Sequence, residues 1–276
     1  MMDRYAVFGH PISHSRSPDI HARFAAQTRQ TMEYRAMDVP AEAFDTTLKT
    51  FIGEGGKGLN CTVPLKEIAF RTCDALSERA QRSGAVNTLK ILENGQLWGD
   101  NTDGVGLYRD LTHNLDVSLN RKRILILGAG GATRGIIEPL LEANPEMLWI
   151  ANRTLERAER LVEDFKGLGP IRAVGFDQLQ GSAFDLILNA TSASLSGALP
   201  PLPGGLLALG GSCYDLAYGK EPTPFVRWGR EQGAILSADG IGMLVEQAAE
   251  AFQIWRGVFP ETQPVIEALA GGDRIR

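Results

Sequence analysis

Strand-like apolar runs alternate with helix-period patterns along the first part of the chain. The strand-like runs occupy residues 4–9, 32–39 and 57–63, and the helical patterns begin at Ser17, Ala41 and Pro64. Two further runs, 85–92 and 96–101, flank Glu93-Asn94-Gly95, which is typical of a hairpin turn. This alternation predicts an α/β fold whose sheet is mostly parallel and carries an antiparallel insert.

Residues 123–154 follow the order of a dinucleotide-binding βαβ unit: strand, glycine turn, helix, strand. In the turn, Gly128 allows a tight bend and Gly130 lets backbone N–H groups approach a pyrophosphate without a Cβ in the way. The whole turn, with its predicted phosphate contacts, comprises Gly128, Ala129, Gly130, Gly131 and Ala132. Pro139 lies inside the helical pattern and predicts a kink or an early end.

The end of the second strand bears on which dinucleotide binds. An NAD site usually carries an acidic residue there, whereas this chain has Asn152-Arg153-Thr154, with Arg157 one turn further on. Arginine pairs with a 2′-phosphate, so the pattern favours NADP(H). The plain alternative is that Arg153 and Arg157 are only the solvated start of a helix.

The rest of the chain adds three strand candidates, a loop and a long helix. The strand candidates are residues 171–176, 185–191 and 212–217, and the Pro- and Gly-rich segment 199–211 is expected to be a loop. Residues 242–255 have a helical apolar face at Leu244, Ala248, Ala251 and Trp255. Met243 and Gln247 share a neighbouring face, four residues apart.

Composition narrows the class of protein. The 276 residues are 43% hydrophobic and 22% charged with a net charge of −5, and no basic block suggests nucleic-acid or membrane binding. The three cysteines lack metal-ligand spacing, so we expect reduced thiols and no metal. No apolar run reaches the ~18 residues of a membrane span, and the N-terminus lacks signal-peptide features. We therefore expect a cytoplasmic protein that binds small molecules; its oligomeric state stays open, with a homodimer as the candidate.

Polar residues cluster where turns lead into helices. Ser17 before Pro18 suits a helix N-cap, and Ser15 beside it suits a carboxylate site. Lys66 falls in the first turn of a helix, where the helix dipole disfavours a cation, which hints at function against the alternative of a merely solvated lysine. Asp103 lies three residues after Asp100 in one turn, and each carboxylate needs a partner unless it only caps a helix.

Taken together, these segments resemble the shikimate dehydrogenase family over essentially the full length of the chain. The residues that carry the resemblance are 9–18, 60–66, 84–88, 99–106, 128–132, 152–154, 189–192 and 240–248. The resemblance implies a two-domain α/β architecture, with a substrate-binding domain at 1–102 plus 239–276 and a Rossmann-type NADP-binding domain at 103–238. It also implies a place in the shikimate pathway, which leads to chorismate and the aromatic amino acids.

The resemblance implies a role for each matching residue. Lys66 and Asp103 are the expected catalytic pair. The expected substrate ligands are Ser15 and Ser17 for the carboxylate, and Thr62, Asn87, Asp103, Gln247 and Tyr218 for the rest of the substrate. Beyond the glycine turn and Asn152, Arg153, Thr154 and Arg157, the expected cofactor residues are Glu78, Leu216, Gly240 and Met243.

The activity expected from these roles is the reversible NADPH-dependent reduction of 3-dehydroshikimate to shikimate. Two alternatives stay open at this point. One is an enzyme of the same fold that acts on quinate or on both acids. The other is a non-catalytic NADP-binding sensor, although such a sensor has no use for Lys66, Asp103 and Gln247.

Overall fold

The computed structural model describes residues 2–270, apart from the side chains of Leu195 and Ser196. The described residues divide into two compact units. The first unit comprises residues up to Gly106 together with Val245–Val265, and the second comprises Leu107–Leu244 together with the residues from Ile266 on. The functional domains at 1–102 plus 239–276 and 103–238 stay a prediction.

The first unit is built on a mixed six-stranded sheet. Its strands are β1 (Asp3–Gly9), β2 (Met32–Asp38), β3 (Gly56–Cys61), β4 (Ala75–Leu76), β5 (Thr88–Ile91) and β6 (Leu97–Asp100), in the order β2-β1-β3-β5-β6-β4. Its first four helices are α1 (Ser17–Thr28), α2 (Phe44–Gly53), α3 (Lys66–Thr72) and α4 (Glu78–Ser83). The strands β1, β2 and β3 are parallel, whereas β5 is antiparallel to both β3 and β6. The predicted parallel sheet with an antiparallel hairpin is thus confirmed.

The second unit is built on a six-stranded sheet whose paired strands are all parallel. Its strands are β7 (Arg123–Leu127), β8 (Met147–Ala151), β9 (Ile171–Val174), β10 (Phe184–Asn189), β11 (Leu207–Asp215) and β12 (Leu236–Asp239), in the order β12-β11-β10-β7-β8-β9. The remaining described helices of the chain, of which α5, α9 and α10 each contribute residues to both units, are α5 (Asp103–Arg109), α6 (Gly131–Glu142), α7 (Leu155–Phe165), α8 (Pro224–Glu231), α9 (Ile241–Arg256) and α10 (Gln263–Ala270). This order is that of a doubly wound dinucleotide-binding fold, which confirms the predicted Rossmann-type sheet.

Apolar residues of β7 supply the core on both faces of this sheet. Ile124 and Ile126 pack into one buried cluster, and Leu125 and Leu127 pack into another on the opposite face. Alternate residues of a strand point to opposite faces, so a strand that is covered on both sides reads as a continuous apolar run. This position places the end of β7, and the glycine turn that follows it, at the centre of the sheet edge.

The structure corrects several expectations about individual elements. Helix α6 continues through Pro139 to Glu142, because a proline in the last turn removes only one hydrogen bond of the helix. Strand β11 begins at Leu207, inside the segment expected to be a loop, and its pairing with β10 shifts register between Phe184 and Leu186. The short β4 and α4 were not expected, since a two-residue strand leaves no readable period.

Other structural findings concern thiols, metals and membranes. All three cysteines are free, and burial raises the pKa of the Cys73 and Cys213 thiols to about 12. Among residues 2–270, no group of three or more His, Cys, Asp or Glu side chains is arranged to hold a metal ion. The described helices include none with the length and apolar character needed to cross a membrane.

Candidate active site

Lys66 and Asp103 form an ion pair at the starts of two helices. Lys66 is the first residue of α3, Asp103 is the first residue of α5, and Lys66 Nζ donates to Asp103 Oδ2 at 2.5 Å. Their side chains are 22% and 9% exposed. Partial burial strengthens the attraction, because the protein interior screens charges less than water does. The pair therefore holds an ammonium group beside a carboxylate at a position that solvent still reaches.

The side-chain amide of Asn87 holds the other oxygen of this carboxylate. Asn87 Nδ2 donates to Asp103 Oδ1 at 2.8 Å. On its other side, Asn87 Oδ1 accepts from the backbone N–H of Thr102 and from the hydroxyl of Thr88, each at 2.9 Å. Gln247 of α9 accepts from Asn87 Nδ2 at 3.3 Å. Four of the predicted site residues, Lys66, Asp103, Asn87 and Gln247, are thus brought together by direct hydrogen bonds.

The turn before α5 is fixed by buried polar contacts. Arg79 donates to both oxygens of Asp100, at 2.7 and 2.5 Å, and the backbone N–H of Asn101 also donates to that carboxylate. Asn101 in turn accepts from the backbone N–H of Asp103 at 3.1 Å and donates to Ala85 O at 3.1 Å. Each carboxylate of this turn therefore has the partner that its burial requires. The expectation that Asp103 serves only as a cap is wrong, because its carboxylate binds Lys66 and Asn87.

The two serines expected to hold a carboxylate lie where α1 begins. The prediction that Ser17 caps the helix is wrong: Ser17 is already its first residue, and Arg16 occupies the cap position without a side-chain hydrogen bond. The backbone N–H of Ser17 donates to Ser15 Oγ at 3.3 Å, so the two serines are in contact. Thr62, another expected substrate ligand, directly follows β3, and its backbone N–H donates to Phe8 O at 2.9 Å.

The glycine turn after β7 combines one tight bend with two positions that open into free space. Gly128 has φ +104°, and a Cβ at this position would lie 3.2 Å from the backbone carbonyl of Ala190. At Gly130 and Gly131 a Cβ would instead project into open space. Gly130 caps the twelve-residue helix α6, whose first turn includes Ala132. The exposed N–H groups of this helix start can therefore face an anion without hindrance from side chains.

Basic side chains follow β8, the strand next to β7. Asn152 Nδ2 donates to Thr154 O at 2.8 Å, which shapes the turn into α7. Arg153 and Arg157 are exposed, and within the part of the chain that the structure describes neither forms an ion pair. Their guanidinium groups thus keep their full hydrogen-bonding capacity for a phosphate.

The remaining cofactor candidates differ in their surroundings. Ala129, Leu216 and Met243 all pack against the apolar cluster that contains Ile124 and Ile126 of β7. Gly240 precedes α9, where a Cβ would collide with the carbonyl oxygen of Leu216. Tyr218 lies in the segment between β11 and α8. Glu78 belongs to the first unit, begins α4 and pairs with Arg82 at 3.1 Å, with its own side chain 85% exposed.

The sequence reasoning did not find Asp215, a fully buried carboxylate at the end of β11. It accepts hydrogen bonds from Asn189, Ser194 and Thr223, and from the backbone N–H of Ala217. Burial raises the pKa of Asp215, and these donors oppose that shift by stabilising the charged form. The carboxylate thus ties together the two loops that follow β10 and β11. The feature of the sequence that could have indicated Asp215 is an aspartate at the end of a strand-like run.

Comparison with known proteins yields consistent matches along the chain. Family models match at residues 7–89 (shikimate dehydrogenase substrate binding domain), 110–196 (shikimate / quinate 5-dehydrogenase) and 240–270 (shikimate 5′-dehydrogenase C-terminal domain). A shikimate dehydrogenase (NADP(+)) of Methylococcus capsulatus (strain Bath) is 62% identical over 267 residues, covering 97% of this chain and 96% of its own.

Solved structures agree with this assignment. An Ael1 enzyme from Pseudomonas putida is 48% identical, with a TM-score of 0.90 and coverage of 97% of this chain and 98% of its own. A shikimate 5-dehydrogenase from Thermus thermophilus, solved in complex with NADP(H) and shikimate, is 36% identical, with a TM-score of 0.86 and coverage of 99% and 100%. By sequence over nearly its whole length and by fold, the chain belongs to the shikimate dehydrogenase family.

Proposed function

We propose that the chain catalyses the reversible, NADP(H)-dependent reduction of 3-dehydroshikimate to shikimate. The observation that carries the proposal is the Lys66–Asp103 pair, held at 2.5 Å and linked to Asn87 and Gln247. An ammonium group of this kind suits a reaction that turns a carbonyl oxygen into a hydroxyl, because that oxygen gains negative charge and then needs a proton. The names of the curated relatives and the shikimate bound to the Thermus enzyme support the substrate.

The catalytic step assigned to Lys66 is proton transfer. NADPH, when bound, supplies a hydride to the carbonyl carbon of the substrate. As the C=O π electrons move onto oxygen, the Lys66 ammonium stabilises the growing charge and donates its proton, which leaves a hydroxyl on the product and a neutral amine on the enzyme. In the oxidative direction the neutral amine takes the proton back. Asp103 orients this amine throughout, and it also accepts a hydrogen bond from a substrate hydroxyl.

The other polar residues are assigned to substrate binding. Ser15 and Ser17 offer two hydroxyls to the substrate carboxylate, a role supported by their contact at the start of α1, where the Ser17 N–H donates to Ser15 Oγ. Thr62, Asn87 and Gln247 bind ring hydroxyls. Tyr218 assists them. In this assignment the carboxylate contacts are made equally in the ground and transition states, so they contribute to affinity rather than to rate.

The residues around the glycine turn fit NADP(H). Gly128 to Ala132 would hold the pyrophosphate, since open space lies where a Cβ at Gly130 or Gly131 would project. Asn152, Arg153, Thr154 and Arg157 would bind the 2′-phosphate, a role supported by the exposed guanidinium groups. Glu78, Leu216 and Gly240 are proposed to line the cofactor site, and Met243 to contact the nicotinamide.

An assay with two acids and two cofactors tests the proposal. The absorbance of reduced nicotinamide is followed with shikimate and quinate, each against NADP and NAD. We expect turnover with shikimate and NADP to exceed that of the other three pairs. Comparable rates with quinate would indicate the broader enzyme, and tight NADPH binding without turnover of either acid would indicate a sensor.

The cellular setting is part of the same proposal. A net charge of −5 without basic clusters supports small molecules as the partners, without nucleic acid or membrane, and the free cysteines support a cytoplasmic location. The assembly state is proposed to be a homodimer, which sedimentation of the purified chain tests.

A further inference from the structure

We infer that Thr88 is a positioning residue for the Lys66–Asp103 pair, an inference that rests on the proposed function. Thr88 is the first residue of β5 and is fully buried. It is no part of the proposed catalytic or binding set. Through its hydroxyl it fixes the orientation of the Asn87 amide, and that amide holds Asp103.

The hydroxyl of Thr88 is engaged on both sides. Thr88 Oγ1 donates to Asn87 Oδ1 at 2.9 Å and accepts from Asn60 Nδ2 at 3.0 Å. A hydroxyl has a single proton. Asn60 presents an N–H, and the Thr102 hydroxyl, 3.3 Å from Thr88 Oγ1, carries a proton of its own, so the Thr88 proton points at Asn87 along the shorter hydrogen bond. Thr88 therefore presents a donor, and not an acceptor, to the amide oxygen of Asn87.

The orientation of the Asn60 side-chain amide is fixed by its own hydrogen bonds. Its Oδ1 accepts from the Tyr34 hydroxyl at 2.7 Å, and its Nδ2 donates to Asn87 O at 3.1 Å as well as to Thr88. The Tyr34 ring stacks on the buried ring of His21, with centroids 4.1 Å apart. Hydrogen bonds thus run in one direction, from Tyr34 through Asn60, Thr88 and Asn87 to Asp103.

The direction of these hydrogen bonds determines that Asn87 presents an N–H, and not an oxygen, to the charged Asp103 carboxylate. If the Asn87 amide turned over, its oxygen would face the Asp103 carboxylate, and two acceptors would oppose each other at a buried position. The same turn would deprive the Thr88 hydroxyl and the Thr102 N–H of their acceptor. Because the Thr102 N–H and the Thr102 hydroxyl also donate to Asn87 Oδ1, at 2.9 and 3.1 Å, loss of the Thr88 hydroxyl weakens the orientation without abolishing it.

The pair Thr88→Val and Thr88→Ser tests this role. Valine keeps the shape of threonine and removes the hydroxyl, whereas serine keeps the hydroxyl. We expect Thr88→Val to lower kcat for shikimate by about tenfold, the cost of roughly one hydrogen bond, with KM values for shikimate and NADP changed less than about threefold. Thr88→Ser should recover kcat to within about twofold of the unmodified chain.

Thr50→Val serves as the matched control, because the Thr50 hydroxyl is exposed and bonds only to its own helix. It should leave kcat unchanged. If Thr88→Val folds poorly, Tyr34→Phe removes the first donor of the same series and should lower kcat; because the Tyr34 hydroxyl also contacts Ser17, kcat alone is the readout for this variant. The inference is overturned if Thr88→Val, or Tyr34→Phe in its place, keeps the kcat of the unmodified chain, or if Thr88→Ser is as slow as Thr88→Val. Absence of turnover in the unmodified chain would instead refute the proposed function, and this inference with it.

Discussion

Single residues at the candidate site owe their positions to the ends of secondary structure. Lys66 and Asp103 each occupy the first position of a helix, and Asn87 lies just before β5. A helix start fixes the backbone of its first residue, and it places that side chain at the end of the helix instead of along its packed length. Three short segments can therefore aim their polar groups at one point without disturbing the core beneath them.

Replacing Lys66 tests the proton donor. Lys66→Ala should lower kcat by about a hundredfold or more, because general acid–base catalysis contributes about 10²–10⁴-fold, while KM for shikimate changes modestly. Steady-state kinetics in both directions measure the effect. Lys57→Ala, at an exposed position of β3, is the matched control and should be fully active. A near-normal kcat in Lys66→Ala would remove the residue from the mechanism.

Replacing Ser15 tests the carboxylate site. Ser15→Ala should raise KM for shikimate several-fold and leave kcat nearly unchanged, because a contact that is equal in the ground and transition states affects binding alone. Initial rates over a range of shikimate concentrations separate the two parameters. A loss of kcat at constant KM contradicts the assigned role.

For single residues, the sequence predicted which side chains carry the chemistry better than it predicted the hydrogen bonds between them. It indicated Lys66 from its unfavourable place at a helix start, and Asp103 from the crowding of carboxylates. The resemblance paired Lys66 with Asp103, but the hydrogen bonds among Asn87, Thr88 and Asn60 could not be predicted, because these three residues meet only when β3 and β5 pair. Such pairing is set by the tertiary fold and leaves no local pattern in the chain.

Elements followed from the sequence wherever burial imposed a clear period. The strands β7 and β8 and the helix between them were evident, because a strand covered on both faces is almost entirely apolar. By contrast, β11 begins in a glycine-rich segment that predicts a loop. Within this strand Gly210 has φ +75°, and the pairing with β10 shifts register. A two-residue strand such as β4 is stabilised by its pairing with β6, and it is too short to show an apolar period of its own.

The loop between β8 and α7 contains Arg153, which is proposed to distinguish NADP from NAD. Arg153→Asp should weaken NADP binding far more than NAD binding, because a carboxylate repels the 2′-phosphate and accepts from a 2′-hydroxyl. Dissociation constants for both dinucleotides, from fluorescence titration, give the comparison. Arg160→Asp makes the same charge change further along α7 and should affect the two cofactors alike. Equal losses in Arg153→Asp would disprove the assignment of the phosphate site.

Across the whole molecule, stability also depends on buried groups outside the proposed catalytic and binding set. His21 is fully buried, and among the described residues neither of its ring nitrogens has a hydrogen-bond partner. Burial lowers the pKa of His21 to about 3 from its usual value near 6.5. The native state therefore holds this ring neutral, while the unfolded chain binds a proton as the pH falls below about 6.5.

Acid should consequently destabilise the fold through His21. The stabilising contribution is complete above the unfolded pKa and is lost as the pH falls towards the native pKa, with about 2 kcal/mol lost by about pH 5. His21→Phe should remove that part of the loss, as measured by urea unfolding at neutral pH and at about pH 5. His113→Phe, at an exposed position, should keep the original pH dependence. An unaltered pH dependence in His21→Phe would rule out this source of acid sensitivity.

The thiols described with the fold make the chain convenient for site-directed labelling. Only the thiolate attacks a maleimide, and the raised pKa values of Cys61, Cys73 and Cys213 leave a very small thiolate fraction at neutral pH. A fluorophore can then be attached to one cysteine introduced at an exposed position such as Lys57, with all three native cysteines retained. The emission of that single dye can then be followed during turnover on an otherwise unaltered sequence.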